Sequence, residues 1–157
     1  MLRLAFQTAV AIALTAIPSP ALAGESLSMF ATLVGKCFTA GVGEGARDRH
    51  CFTALFGGKH LRDSHRVLLG GKVVYRGETT YSLDGGTVRF LYINSLGGSG
   101  HGEARAISGG IAFTGTMHAE PGAQPQSMAS TWAVLSGGSY AASDGKGKPV
   151  LYRPDGR

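Results

Sequence analysis

Six glycine pairs, Gly57-Gly58, Gly70-Gly71, Gly85-Gly86, Gly97-Gly98, Gly109-Gly110 and Gly137-Gly138, punctuate the chain at steps of 13, 15, 12, 12 and 28 residues. The long step is divided near its middle by Pro121-Gly122-Ala123-Gln124-Pro125, another turn signal. Tight hairpin turns require positive φ, which glycine adopts without a clash at Cβ. A regular beat of such turns dictates a chain that keeps doubling back on itself, and therefore a β-meander rather than a helix bundle.

The segments between turns carry the matching periodicity. Val73, Tyr75, Thr79, Tyr81 and Leu83 alternate with Lys72, Val74, Arg76, Glu78 and Thr80, as a strand with one buried face requires. A two-residue turn at Asp84-Gly85 sets Tyr81 opposite Val88 and Thr79 opposite Phe90. A two-residue turn at Gly109-Gly110 sets Ala106 opposite Phe113, and His101 opposite His118 on the other, polar face. Strands are expected near 36–40, 48–56, 59–69, 72–83, 87–95, 100–108, 111–119, 127–136, 138–143 and 148–153. About eight to ten antiparallel strands in up-and-down order leave exposed edges unless the sheet closes, so the predicted fold class is all-β, a single antiparallel barrel. Ser26 to Val34 is the one segment with helical spacing, through Leu27, Phe30, Leu33 and Val34, and Gly35 can end it. Its apolar stripe is expected to plug one barrel end.

Ahead of that segment, residues 1–23 have the parts of a signal peptide: Arg3, an apolar run from Leu4 to Ile17, and Ala21-Leu22-Ala23 before Gly24. The run is about 14 residues, shorter than the roughly 20 needed to span a bilayer, and Pro18 and Pro20 end it. The expectation is a periplasmic or secreted product, 24–157, with no membrane span after cleavage. A retained anchor is the minor alternative. Cleavage removes one arginine and no acid, leaving a formal charge of +4 on 134 residues, a length that suits one domain with a real core. The basic residues are scattered, without the concentrated positive face that nucleic-acid binding needs. Oligomeric state is not read from the sequence. In an exported chain Cys37 and Cys51 are expected to form a disulfide across neighbouring strands; a metal or redox site with His50 is the rival.

Phe30-Ala31-Thr32-Leu33-Val34-Gly35 running into Lys36-Cys37-Phe38 resembles the opening of lipocalin-like (calycin) barrels. Tyr75 to Ser82 and Tyr92 to Gly98 are similar to strands of small exported bacterial barrels of that type, which lack a settled activity. Cys37 stands where such barrels carry the Trp of a Gly-x-Trp element. The resemblance implies an interior that binds a small, largely apolar molecule. Some barrels of that shape hold haem through a histidine near the chain end; no His follows His118, so haem is not expected, nor is any other cofactor.

The expected lining is Tyr75, Tyr81, Phe90, Tyr92, Asn94, Phe113, Met117 and Trp132, which either fills the core or leaves a cavity. Asp63 and His65 point inward beside Tyr75 and Tyr81 if the turn spans Gly70 to Lys72, and outward if it has two residues. Inward, they could act as an acid/base pair or bind a polar head group. His101 and His118, with Glu103 close by, could hold a metal such as zinc, or form a solvated face. Gly41 to Gly45 is glycine-rich but joins two strands, so it reads as a loop and not a phosphate cradle. No nucleophile elbow, His-Glu-x-x-His or Walker sequence occurs. Three functions stay open: a non-catalytic barrel for a small apolar or amphipathic ligand, an isomerase or hydrolase using Asp63 and His65, and a structural or partner-binding envelope protein.

Overall fold

The computed structural model describes residues 26–156; the expected export segment 1–23 lies outside them. Ten strands follow one another: β1 (Cys37–Gly41), β2 (Arg47–Leu55), β3 (His60–Leu69), β4 (Lys72–Asp84), β5 (Thr87–Asn94), β6 (Ser99–Ile107), β7 (Gly110–His118), β8 (Gln126–Val134), β9 (Tyr140–Ser143) and β10 (Val150–Pro154). Each pairs antiparallel with its sequence neighbours, and β1 also pairs with β10, closing the barrel. Short 3₁₀ turns are the only helical pieces among the described residues, and none is long and apolar enough to cross a membrane.

The glycines act as corners. Gly70 and Gly71, at φ 55° and 79°, join β3 to β4, and Gly85 and Gly86, at φ 56° and 88°, join β4 to β5. Successive positive φ values fit the two-residue turn whose twist matches that of the flanking strands. The second corner corrects the expected register: the loop is Gly85-Gly86, not Asp84-Gly85, so Tyr81 faces Phe90 and Thr79 faces Tyr92. The β6–β7 corner likewise uses Ser108 and Gly109, setting Ile107 opposite Gly110 and Ala106 opposite Ile111. Both corrections are slips of two residues. Because side chains alternate with period two, an even slip changes partners but leaves every residue on its expected face.

β3 and β4 combine the two turn geometries. The Gly70-Gly71 loop sets Leu69 opposite Lys72 and Leu68 opposite Val73; a bulge at Val67/Leu68 then leaves Val74 unpaired and sets Val67 opposite Tyr75. One extra residue on β4 reverses the parity of the pairing. Asp63 consequently points inward and is 3% exposed.

The expected helix at Ser26–Val34 is shorter in fact. A 3₁₀ turn covers Leu27–Phe30, with Ser26 Oγ accepting from the Ser28 amide, and the chain turns through to Gly35. The Gly35 amide donates to Phe52 O, and the Phe52 amide to Lys36 O, which draws the segment into the wall before a longer helix can propagate. Its apolar side chains still turn into the core: Phe30 and Leu33 are fully buried, and the Phe30 ring lies 4.6 Å from Tyr81. The rest of that core is largely aromatic, including Phe38, Phe52, Phe113 and Tyr140. Cys37 and Cys51 face each other across β1 and β2 and are disulfide-bonded, so they supply no metal or redox ligand.

Candidate functional site

β2 and β3 run side by side with His50 opposite His65, Phe52 opposite Asp63, and Asp48 opposite Val67. Alternation turns Asp48 and His50 inward from one strand and Asp63 and His65 inward from the other. Two carboxylates and two imidazoles thus meet inside a closed barrel, where charge without a partner is costly. They partner one another. His50 Nδ1 donates to both Asp63 oxygens at 2.8 and 3.0 Å, and Nε2 to Asp48 Oδ2 at 3.2 Å. The Tyr152 hydroxyl donates to the same Asp48 oxygen at 2.8 Å. His65 Nδ1 lies 3.4 Å from Asp48 Oδ1 without forming a hydrogen bond, and its Nε2 is 3.3 Å from the Tyr92 hydroxyl, which in turn contacts Tyr75 Oη.

The electrostatics follow from this geometry. Burial acts against a charged His50, but Asp63 and Asp48 outweigh it and push the imidazolium up to about 10. Burial likewise opposes ionisation of Asp48, yet His50, His65 and Tyr152 hold its carboxyl well below the usual range. Desolvation, reinforced by the nearby carboxylates, raises the hydroxyls of Tyr81, Tyr140 and Tyr152, which therefore stay neutral; desolvation and Tyr75 do the same to Tyr92. His50 is thus held in its charged form between Asp48 and Asp63.

Beside the network is a cavity of about 190 Å³, with Asp63, His50 and His65 at its polar end and Phe90, Phe113, Met117, Met128 and Trp132 on its apolar wall. Tyr81, Tyr92, Thr79 and Ser130 complete it. Of the expected lining residues, Tyr75 and Asn94 are off the cavity. Tyr75 reaches it through Tyr92, and Asn94 Oδ1 accepts from the Leu96 and Gly98 amides to cap the β5–β6 turn.

The expected His101–His118 metal pair is not assembled. His101 is opposite Thr116 and His118 opposite Ser99 because the corner lies one residue from its expected place, which shifts every partner by two. His118 Nδ1 donates to Ala123 O at 3.0 Å, and Glu103 accepts from Arg89 at 3.0 Å. Of the two facings left open for Asp63 and His65 the structure has the inward one, reached by the bulge and not by a longer turn, but the two do not pair: each is matched with a residue of β2. Asp48 is the site residue missed in the sequence, where His50 groups only with the two cysteines, although Asp48, His50 and Phe52 alternate there as an inward face. No protein-family model and no curated protein matches the chain.

Proposed function

We propose that this protein is an exported, non-catalytic barrel that holds a small molecule with an apolar body and a hydrogen-bond-donating head. The observation that carries the reading is the cavity, apolar along its wall and polar at one end, where Asp63, His50 and His65 meet. An apolar cavity of about 150 Å³ accepts benzene, whereas drug-sized pockets begin at about 300 Å³. A single ring with a short substituent suits about 190 Å³. The Asp63 carboxylate at the polar end favours an amine or hydroxyl head over a carboxylate.

Kinship with lipocalin-like barrels is part of this proposal, supported by the up-and-down order, although ten strands replace the lipocalin eight. Export rests on residues 1–23, and the disulfide is compatible with it. The acid/base alternative is weaker on chemical grounds. Asp63 engages His50 rather than His65, and with both ring nitrogens donating to carboxylates His50 has no lone pair to accept a proton. A purely structural role leaves the cavity without a purpose.

The test is methyl NMR of the EDTA-treated protein labelled at methionine. Met117 and Met128 line the cavity, while Met29 packs below it. Benzylamine and benzyl alcohol should shift Met117 and Met128, with the amine binding tighter and benzoate weakest. The reading fails if no probe moves these two methyls.

A further inference from the structure

The two orphaned atoms in the network lie close together. Asp48 Oδ1 and His65 Nδ1 are buried at an ion-pair distance of 3.4 Å, and neither has a hydrogen bond of good geometry. Asp48 is 7% exposed, so its free oxygen faces protein and not solvent. One ligand-capable atom from each of Asp48, His50 and His65 lies within 4.8 Å of the other two. A tetrahedral zinc with bonds of about 2.0–2.1 Å sets neighbouring ligand atoms about 3.3–3.4 Å apart. His65 Nδ1 already has this separation from Asp48 Oδ1, and His50 Nε2 is 3.2 Å from the other oxygen of the same carboxylate.

The far side of each residue is held as a metal ligand's would be. Asp63 fixes the proton on His50 Nδ1, leaving Nε2 to face Asp48. Tyr152 donates to Asp48 Oδ2, leaving Oδ1. Tyr92 sits at His65 Nε2, leaving Nδ1. A carboxylate or hydroxyl on the outer atom of each ligand is the arrangement that orients metal-binding side chains.

From this geometry we infer that Asp48, His50 and His65 form a binding site for a divalent transition ion, zinc by its mixed imidazole and carboxylate set, with Asp63 as the positioning residue for His50. The ion takes the place of the proton that His50 Nε2 shares with Asp48, and satisfies both orphaned atoms. His50 and His65 also line the cavity, so the fourth coordination position opens toward it. This goes beyond the ligand reading and stands without it.

Calorimetric titration of the EDTA-treated full chain with zinc should give one ion per chain, and Co²⁺ should give the visible spectrum of a tetrahedral site. The ring signals of His50 and His65 should shift with zinc, and those of His101 and His118 should not. Asp63→Asn should weaken binding about 10- to 100-fold, His65→Ala, which removes a direct ligand, more than that, and His118→Ala not at all. Folded protein that takes up no zinc at micromolar concentration overturns the site, as does a shift confined to His101 and His118 or unchanged binding in His65→Ala. The wild-type spectra decide the matter even where a variant does not fold. Benzylamine binding without zinc binding sinks this site and spares the ligand reading; zinc binding without benzylamine binding does the converse.

Discussion

Tyr140 and Tyr152 stack face to face, with ring centroids 4.7 Å apart, yet their hydroxyls have opposite fates. Tyr152 donates to the Asp48 carboxylate, whereas Tyr140 Oη is buried with no partner. A hydrogen bond to a charged group contributes about 1.5–3 kcal/mol, while an unsatisfied buried hydroxyl is a net cost. Tyr152→Phe should therefore destabilise the fold by about that amount, and Tyr140→Phe should be neutral or stabilising, as read from urea denaturation midpoints. Equal losses in the two variants would contradict the geometry. Gly77 has a similarly local role. It is opposite His65 on β4, and a Cβ added there would lie 2.0 Å from His65 Nε2 and 2.8 Å from the Tyr92 ring. The glycine makes the space in which the imidazole lies, so Gly77→Ala should expel His65 from the network. The expected signature is loss of the His65–Tyr92 contact in NMR with the strand register preserved; an unmoved His65 ring would count against it.

The hairpins show what a sequence yields and where it stops. Strand number, order and faces follow from the glycine beat and the two-residue alternation, because both are local properties of the chain. Partners within a hairpin do not, since one or two residues at the corner decide them: Gly85-Gly86 and Ser108-Gly109 each moved the register by two. Asp63 was harder still, because its facing depends on the bulge that leaves Val74 unpaired, a choice made by the whole β3–β4 pair. In the sequence His50 stands beside Cys51 and groups with the cysteines, not with Asp63 and His65. Only the β2–β3 register, set by the four-residue loop at 56–59, shows that His50 meets His65. The β1–β2 hairpin also carries the disulfide, which closes a loop of 14 residues and holds the strand bearing Asp48 and His50. Constraining a loop of that length contributes about 3 kcal/mol in the chain-entropy model. Cys37→Ser with Cys51→Ser should lower unfolding stability by about that amount, and a loss under 1 kcal/mol in denaturant titration would show the hairpin to be held by its ladder alone.

Closing the barrel depends on its shortest ladder. β1 and β10 share only the pairs Phe38–Pro154 and Thr39–Arg153, whereas β3 and β4 share ten. The seam is reinforced just beyond the strand, where the Asp155 amide donates to Cys37 O and its carboxylate accepts from Thr39 Oγ1 and Arg49 Nε. Those partners, Thr39 first and then Arg49, lower the Asp155 pKa from its ordinary value of 3.8. A carboxyl depressed in the folded state stabilises it above the unfolded pKa, and that contribution vanishes as pH falls through the folded value. Both partners are near the surface, so the contribution belongs at the exposed end of the range, about 0–1 kcal/mol. The seam should accordingly be the first part of the wall to open. Amides of β1 and β10 should exchange with solvent faster than those of β3 to β7. Asp155→Asn should accelerate seam exchange several-fold at neutral pH while leaving β3 to β7 unchanged, and the difference between variant and wild type should shrink as pH drops below the ordinary carboxylate range. Uniform exchange around all ten strands would mean that the barrel opens only by global unfolding.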